Sequence, residues 1–124
     1  MVDDDFSVCD SIRRVLSTEP LQVVTAHSVK DGLGHISRNI PDLIMTDLCM
    51  APLTGWDFIL HLKHHYPVLP IFVITALPRK TAGGVDRIAS AFFQKPLDFD
   101  TLLTAIRRQL LEFGTSRNSS PAQP

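Results

Sequence analysis

Apolar residues come in two rhythms along this chain. Runs of consecutive aliphatic side chains bounded by Pro, Gly or an acid read as strands buried on both faces. Between them, apolar positions recur every three or four residues, as on one face of a helix. The first run is only Met1-Val2, and Val8, Ile12, Val15 and Leu16 then predict a helix over Ser7–Leu16. Gln22–Ala26, β-branched and following Pro20, predicts a second strand. Ser28–Ile36 predicts a second helix, capped by Ser28, with Val29, Leu33 and Ile36 on its apolar face and Gly32 and Gly34 weakening it. Pro41–Asp47, through Leu43, Ile44 and Met45, is the third strand. Gly55–His65 is the third helix, with Phe58, Ile59 and Leu62 inward and Asp57, His61 and Lys63 outward. Pro70–Thr75 is a fourth buried strand, Leu77–Gly84 a polar loop, Val85–Ala89 a short weak helix, and Ala91–Gln94 a fifth strand ending at Lys95-Pro96. A last helix runs from Asp98 to about Glu112 on a stripe of Phe99, Leu102, Leu103, Ile106 and Leu110, with Gly114 closing it. Strands alternating with helices in this way imply an α/β fold: a parallel sheet covered on both faces through right-handed crossovers.

Composition narrows the function without naming it. A chain of 124 residues suits one domain with one core, and 44% hydrophobic with 20% charged residues describes a globular protein. The formal net charge of -1 gives no electrostatic footprint for direct nucleic-acid binding by this segment or for an anionic membrane surface. The longest apolar stretch, around Val68 to Leu77, is too short to span a bilayer and contains Pro70, and the N-terminus is acidic where a signal peptide is basic. A cytoplasmic location is the expectation. Cys9 and Cys49 lack metal-type spacing and read as free thiols in a reducing compartment.

The chemistry gathers where strands end. Asp3, Asp4 and Asp5 form a block of like charge that a divalent cation would relieve; Asp5 is placed to start the first helix, which leaves Asp3 and Asp4 for a site. Asp47 ends the third strand, Thr75 the fourth and Lys95 the fifth. In open parallel sheets ligands bind at those carboxyl ends. Acids, a hydroxyl and an amine suit phosphoryl transfer, with a hard cation such as Mg2+ taking oxygens from Asp4, Asp47 and one loop carbonyl. His61, His64 and His65 occupy neighbouring positions of the third helix and read as a solvated face, since no acidic or thiol partner lies beside them. Cys49 reads as an ordinary loop residue rather than a redox sensor, Trp56 as helix-face packing, and Phe92 equally well as core.

Val-Asp-Asp-Asp at the start, Pro-Asp-Leu-Ile-Met-Thr-Asp-Leu-Cys-Met from Pro41, Val-Ile-Thr-Ala from Val73 and Phe-Gln-Lys-Pro from Phe93 stand in the order and near the spacing of receiver domains of two-component response regulators. The chain resembles that family, chemotaxis-regulator-like, from Met1 to about Glu112. The resemblance implies a flavodoxin-like, doubly wound, five-stranded parallel sheet in the order 2-1-3-4-5. It implies that Asp47 is the phosphoacceptor, that Asp3, Asp4 (the direct ligand) and Asp47 with the Cys49 backbone carbonyl hold Mg2+, and that Thr75, Lys95 and Phe92 are the phosphoryl-binding and switch residues. The implied donor is the phosphohistidine of a sensor histidine kinase or a histidine phosphotransfer protein. The implied outcome is a changed face of fourth helix, fifth strand and fifth helix, read by an output domain or effector. Such a protein is a signalling switch rather than an enzyme, although it assists its own phosphorylation and dephosphorylation.

The chain also departs from the family pattern. A first strand ordinarily has about five residues, yet only Met1 and Val2 precede Asp3, so strand 1 is expected to be truncated and the natural chain to start earlier. Met50 is followed by Ala51 and only then Pro52, the stretch from Thr75 to Lys95 is slightly short, and Ile88 stands where a helix-ending glycine is common. Domain organisation is read as a receiver over 1–113 and a disordered tail or linker start over 114–124. Two rivals are a phosphorylation-independent interaction module and a haloacid-dehalogenase-like phosphohydrolase. The latter needs a second acid two residues after the first, where Cys49 stands.

Overall fold

Ile71–Thr75 (β2) is the axis of the molecule, five consecutive residues all buried. In the computed structural model, which describes residues 1–49, 55–78, 84 and 88–118, with 55 and 112–118 as backbone alone, β2 pairs in parallel on both sides. Ile44–Thr46 (β1) lies on one flank, with Ile44 opposite Ile71 and Thr46 opposite Val73. Ala91–Gln94 (β3) lies on the other, with Phe92 opposite Val73 and Gln94 opposite Thr75. The sheet order is β1-β2-β3.

Successive strand side chains point to opposite faces, and each face has its own core. Ile44, Ile71 and Val73 pack with Val29 and Ile36 of α2 (Val29–Arg38) and Phe58, Ile59 and Leu62 of α3 (Gly55–His65). Met45, Phe72 and Ile74 pack with Ile12 and Leu16 of α1 (Phe6–Leu16) and Leu102 and Ile106 of α4 (Phe99–Asn118). The helices start as their sequences dictate. Asp5 caps α1, its Oδ1 accepting from the N–H groups of Ser7 at 2.9 Å and Val8 at 3.4 Å, and Ser28 Oγ accepts from Asp31 N at 3.1 Å to cap α2. The buried stripe of α1 is Cys9, Ile12 and Leu16, with Val8 and Val15 only partly covered.

Among the described residues three strands stand where five are expected. The two missing ones shrink to single rungs, Val2 bridging Ala26 on one side and Thr46 on the other, both parallel. The Val2 amide donates to Met45 O at 2.8 Å, Asp47 N to Val2 O at 3.2 Å, Ala26 N to Met1 O at 2.9 Å and Asp3 N to Ala26 O at 3.0 Å. The cause is length. With two residues ahead of Asp3 and a helix beginning at Phe6, there is backbone for one rung per side, and Gln22–Thr25 has nothing longer to pair with. The last helix also departs from expectation: Gly114 does not end it, and α4 continues to Asn118. Glycine stops a helix when it takes the left-handed conformation beyond the last turn; inside a helix it costs only about 1 kcal/mol, and Thr115–Asn118 carry the turn onward. The loop Met50–Thr54, most of the weak helix expected over Val85–Ala89, and 119–124 lie outside the described residues.

The two glycines of α2 are not equivalent. A Cβ on Gly32 would stand 3.0 Å from Cγ2 of Val2, whereas one on Gly34 would meet nothing within 4 Å. Gly34→Ala is therefore expected to raise stability by about 0.5–1 kcal/mol through helix propensity, and Gly32→Ala to lower it by pushing Val2 from its place between Ala26 and Thr46. Urea unfolding of the two variants checks the opposite signs. Across the other face, Glu19 and Arg107 form a two-pronged ion pair at 2.6 and 3.2 Å that ties the turn after α1 to α4.

Candidate functional site

Strand ends place the site. Asp47 is the first residue after β1 and is 6% exposed; Asp3 follows the Val2 rung and is fully buried. Lys95 follows β3 and is held by its own backbone, its N–H donating to the Thr75 carbonyl at 2.8 Å; its peptide bond to Pro96 is cis. From there its ammonium reaches both acids, 2.8 Å from Asp3 Oδ2 and 2.9 Å from Asp47 Oδ2. The other oxygen of each carboxylate is held by main-chain donors. Asp3 Oδ1 accepts from Asp5 N at 2.9 Å; Asp47 Oδ1 accepts from Leu48 N at 2.6 Å and Cys49 N at 3.2 Å. One cation therefore bridges two anions whose remaining oxygens are already fixed.

Burial and pairing compete in this cluster. Burial drives the Asp3 carboxyl above its ordinary range, and the neighbouring Asp47 charge adds to this, more than the bonds from Lys95 and Asp5 N pull it down. Burial alone would lower the Lys95 ammonium, but its hydrogen bonds to Asp3 and Asp47 outweigh it, and the net shift is upward.

The sequence-expected residues arrive unevenly. Asp3, Asp47 and Lys95 are in direct contact. Thr75 is fully buried at the same carboxyl edge, its hydroxyl accepting from Leu77 N at 3.4 Å. Asp4 is exposed, and its side chain makes no hydrogen bond or ion pair among the described residues. Cys49 is exposed, with its N–H turned to Asp47. Phe92 is half-buried against the core on the α2 and α3 side. Sequence reasoning missed the residues behind Asp3. Its carbonyl accepts from the Cys9 thiol at 3.5 Å and from His27 Nδ1 at 3.2 Å, and since a carbonyl only accepts, Nδ1 carries the proton. The His27 ring lies flat on Phe6, with centroids 3.7 Å apart and 9° between planes. Cys9 was within reach of the helical period, three residues before Ile12; nothing in the sequence marks His27.

Among the described residues no three His, Cys, Asp or Glu side chains gather into a ready-made metal cage. What Asp3 and Asp47 offer is a pair of hard carboxylate oxygens already sharing a cation, a donor set that fits a hard divalent ion keeping several of its waters.

A doubly covered parallel sheet with buried acids at its carboxyl edge and a strand-end lysine upon them defines a receiver-type signalling module. Residues 1–107 match the family model of the response regulator receiver domain, and the chain belongs to that family, the receiver domains of two-component systems. It is 32% identical over 126 aligned residues to the response regulator MprA of Mycobacterium sp. (strain KMS), covering all of this chain and 54% of that protein. The chain thus spans about half the length of the curated relatives it matches. Among solved structures it is similar to a CheY-like receiver domain protein from Methanospirillum hungatei JF-1 (TM-score 0.83, 23% identity, 93% of this chain and 94% of that one). It is also similar to the response regulator TrrA of Thermotoga maritima, solved in complex with Mg(2+)-BeF (TM-score 0.80, 20% identity, 88% and 95%). Both show the fold. No helix among the described residues is long and apolar enough to cross a membrane.

Proposed function

We propose that this receiver is switched by phosphorylation of Asp47, the donor being a phosphohistidine on a sensor histidine kinase or a histidine phosphotransfer protein. The single observation that carries the reading is the shared ammonium, Lys95 Nζ within 2.9 Å of both Asp3 Oδ2 and Asp47 Oδ2. A lone pair on Asp47 Oδ2 forms the new O–P bond as the N–P bond of the phosphohistidine breaks, and the electron pair returns to the imidazole nitrogen, which takes up a proton. Asp3, Asp4 and Asp47 with the Cys49 carbonyl would hold Mg2+, which supplies cancellation of charge between carboxylate and phosphoryl oxygens. Lys95 then follows the charge from the carboxylate to the phosphoryl oxygens, and the Thr75 hydroxyl exchanges its Leu77 contact for one of them. Phe92, beside Val73, fills the space vacated there. The surface of β3 and α4, with the helix that the sequence predicts over Val85–Ala89, changes as a result, and an output domain or effector reads it.

The finer fold belongs to this reading as well. The rungs from Val2 to Ala26 and to Thr46 support a five-position order 2-1-3-4-5 in which the first two positions are one rung deep. A receiver unit over 1–113, a cytoplasmic location and a switch rather than enzymatic role accord with it. Acetyl phosphate with Mg2+ tests the proposal: a receiver gains one labile phosphoryl mass. An inert interaction module gains none, and a phosphohydrolase turns over phosphomonoesters instead; either result overturns it.

A further inference from the structure

We propose that the carboxyl-terminal end of α3 holds a divalent transition-metal ion between His61 and His65, with no dependence on the phosphorylation reading. The residues are one helical turn apart, the spacing that stacks side chains on one face. Both are exposed, and their rings have centroids 4.2 Å apart, tilted by 44°. His64 meets His65 edge-on at 4.9 Å. Among the described residues none of the three imidazoles makes a hydrogen bond or ion pair, so their ring nitrogens are uncommitted. This is what the sequence reading of a merely solvated face leaves out: the rings converge.

The distances allow a shared ion. Two nitrogens bound at about 2.0–2.1 Å in a tetrahedral shell put their ring centres roughly 5.2 Å apart, and rings now 4.2 Å apart reach that spacing by opening about 1 Å, which two exposed side chains on one helix face allow. The scaffold is fixed from behind, because Phe58, Ile59 and Leu62 anchor the opposite face of α3 in the core. A cation there also meets the negative end of the helix dipole. No third His, Cys, Asp or Glu converges among the described residues, so water completes the shell and the ion exchanges. Imidazole nitrogens select Cu2+, Ni2+ or Zn2+ and not Mg2+. Because α3 starts beyond Asp47 and ends where the chain turns into β2, the pair sits at the opposite edge of the sheet from the carboxylates.

Copper titrated into a Cys49→Ser chain, which removes the exposed thiol, tests this. The expected result is a one-to-one complex with two imidazole nitrogens in its electron paramagnetic resonance spectrum. His61→Ala or His65→Ala weakens it about tenfold or more, His64→Ala changes it less than about twofold, and excess Mg2+ leaves it in place. The proposal is overturned if no such complex forms at about 0.1 mM copper, if His61→Ala and His65→Ala bind like the parent, or if only His64→Ala loses it.

Discussion

Asp47→Asn is expected to abolish the labile phosphoryl mass gained from acetyl phosphate with Mg2+, down to the limit of detection, while leaving the fold in place. Attack on phosphorus needs a carboxylate lone pair, and an amide lacks one of comparable reactivity. The structure indicates why the variant folds. An Asn oxygen still accepts from Leu48 N and Cys49 N, where Asp47 Oδ1 does so now. Lys95 keeps Asp3 as its partner, and one of two like charges that oppose each other at the cluster is gone. Intact mass at neutral pH, before and after mild alkali, reads the phosphoryl group, and circular dichroism during heating reads the fold. A folded Asp47→Asn chain that labels at the parent rate moves the acceptor elsewhere.

Lys95→Met is expected to cost about 3 kcal/mol of stability at neutral pH. Removing one member of a buried pair leaves the other charge uncompensated, and the lower end of that range applies because 19% of the Lys95 side chain is in solvent. The loss has a characteristic pH dependence. Lys95 is raised on folding, so its contribution is complete below its ordinary value of 10.5 and disappears as pH climbs through its folded value. Asp3 is also raised on folding, so its ionisation works against the fold as pH rises past 3.8, and more strongly once Lys95 is absent. The gap between parent and variant is therefore widest near neutrality and narrows toward acid, where Asp3 is protonated, and toward strong alkali, where Lys95 is neutral. Urea unfolding at three pH values checks this shape. A gap independent of pH would assign the loss to packing of the lysine stem.

Much of this was legible because strands buried on both faces announce themselves. Ile71–Thr75 is such a strand, buried throughout; Ala91–Gln94 is only partly buried but has the same run of adjacent apolar residues, and the helices facing them keep their period. Asp47 and Lys95 were legible as polar residues at the ends of such runs. Less was legible where structure depends on partners. Gln22–Ala26 has strand composition but forms one rung, because the segment beside it is too short to offer more. Gly114 has the identity of a helix stop without its conformation. Among three consecutive acids Asp5 was legible as the start of α1, but the sequence does not separate the other two: Asp3 is buried and Asp4 exposed. His27 acts on a backbone carbonyl, and a main-chain partner leaves no trace in side-chain spacing.

The Lys95 to Asp3 contact joins residues 92 positions apart. Closing so long a loop is slow and comes after local structure has formed. A nascent chain emerging from the ribosome accordingly lacks its acid pocket until β3 and Lys95 have been synthesised and docked, and under the proposed function a partly folded copy is silent toward its donor. Competence to be charged with a signal doubles as a certificate that the whole domain has been assembled.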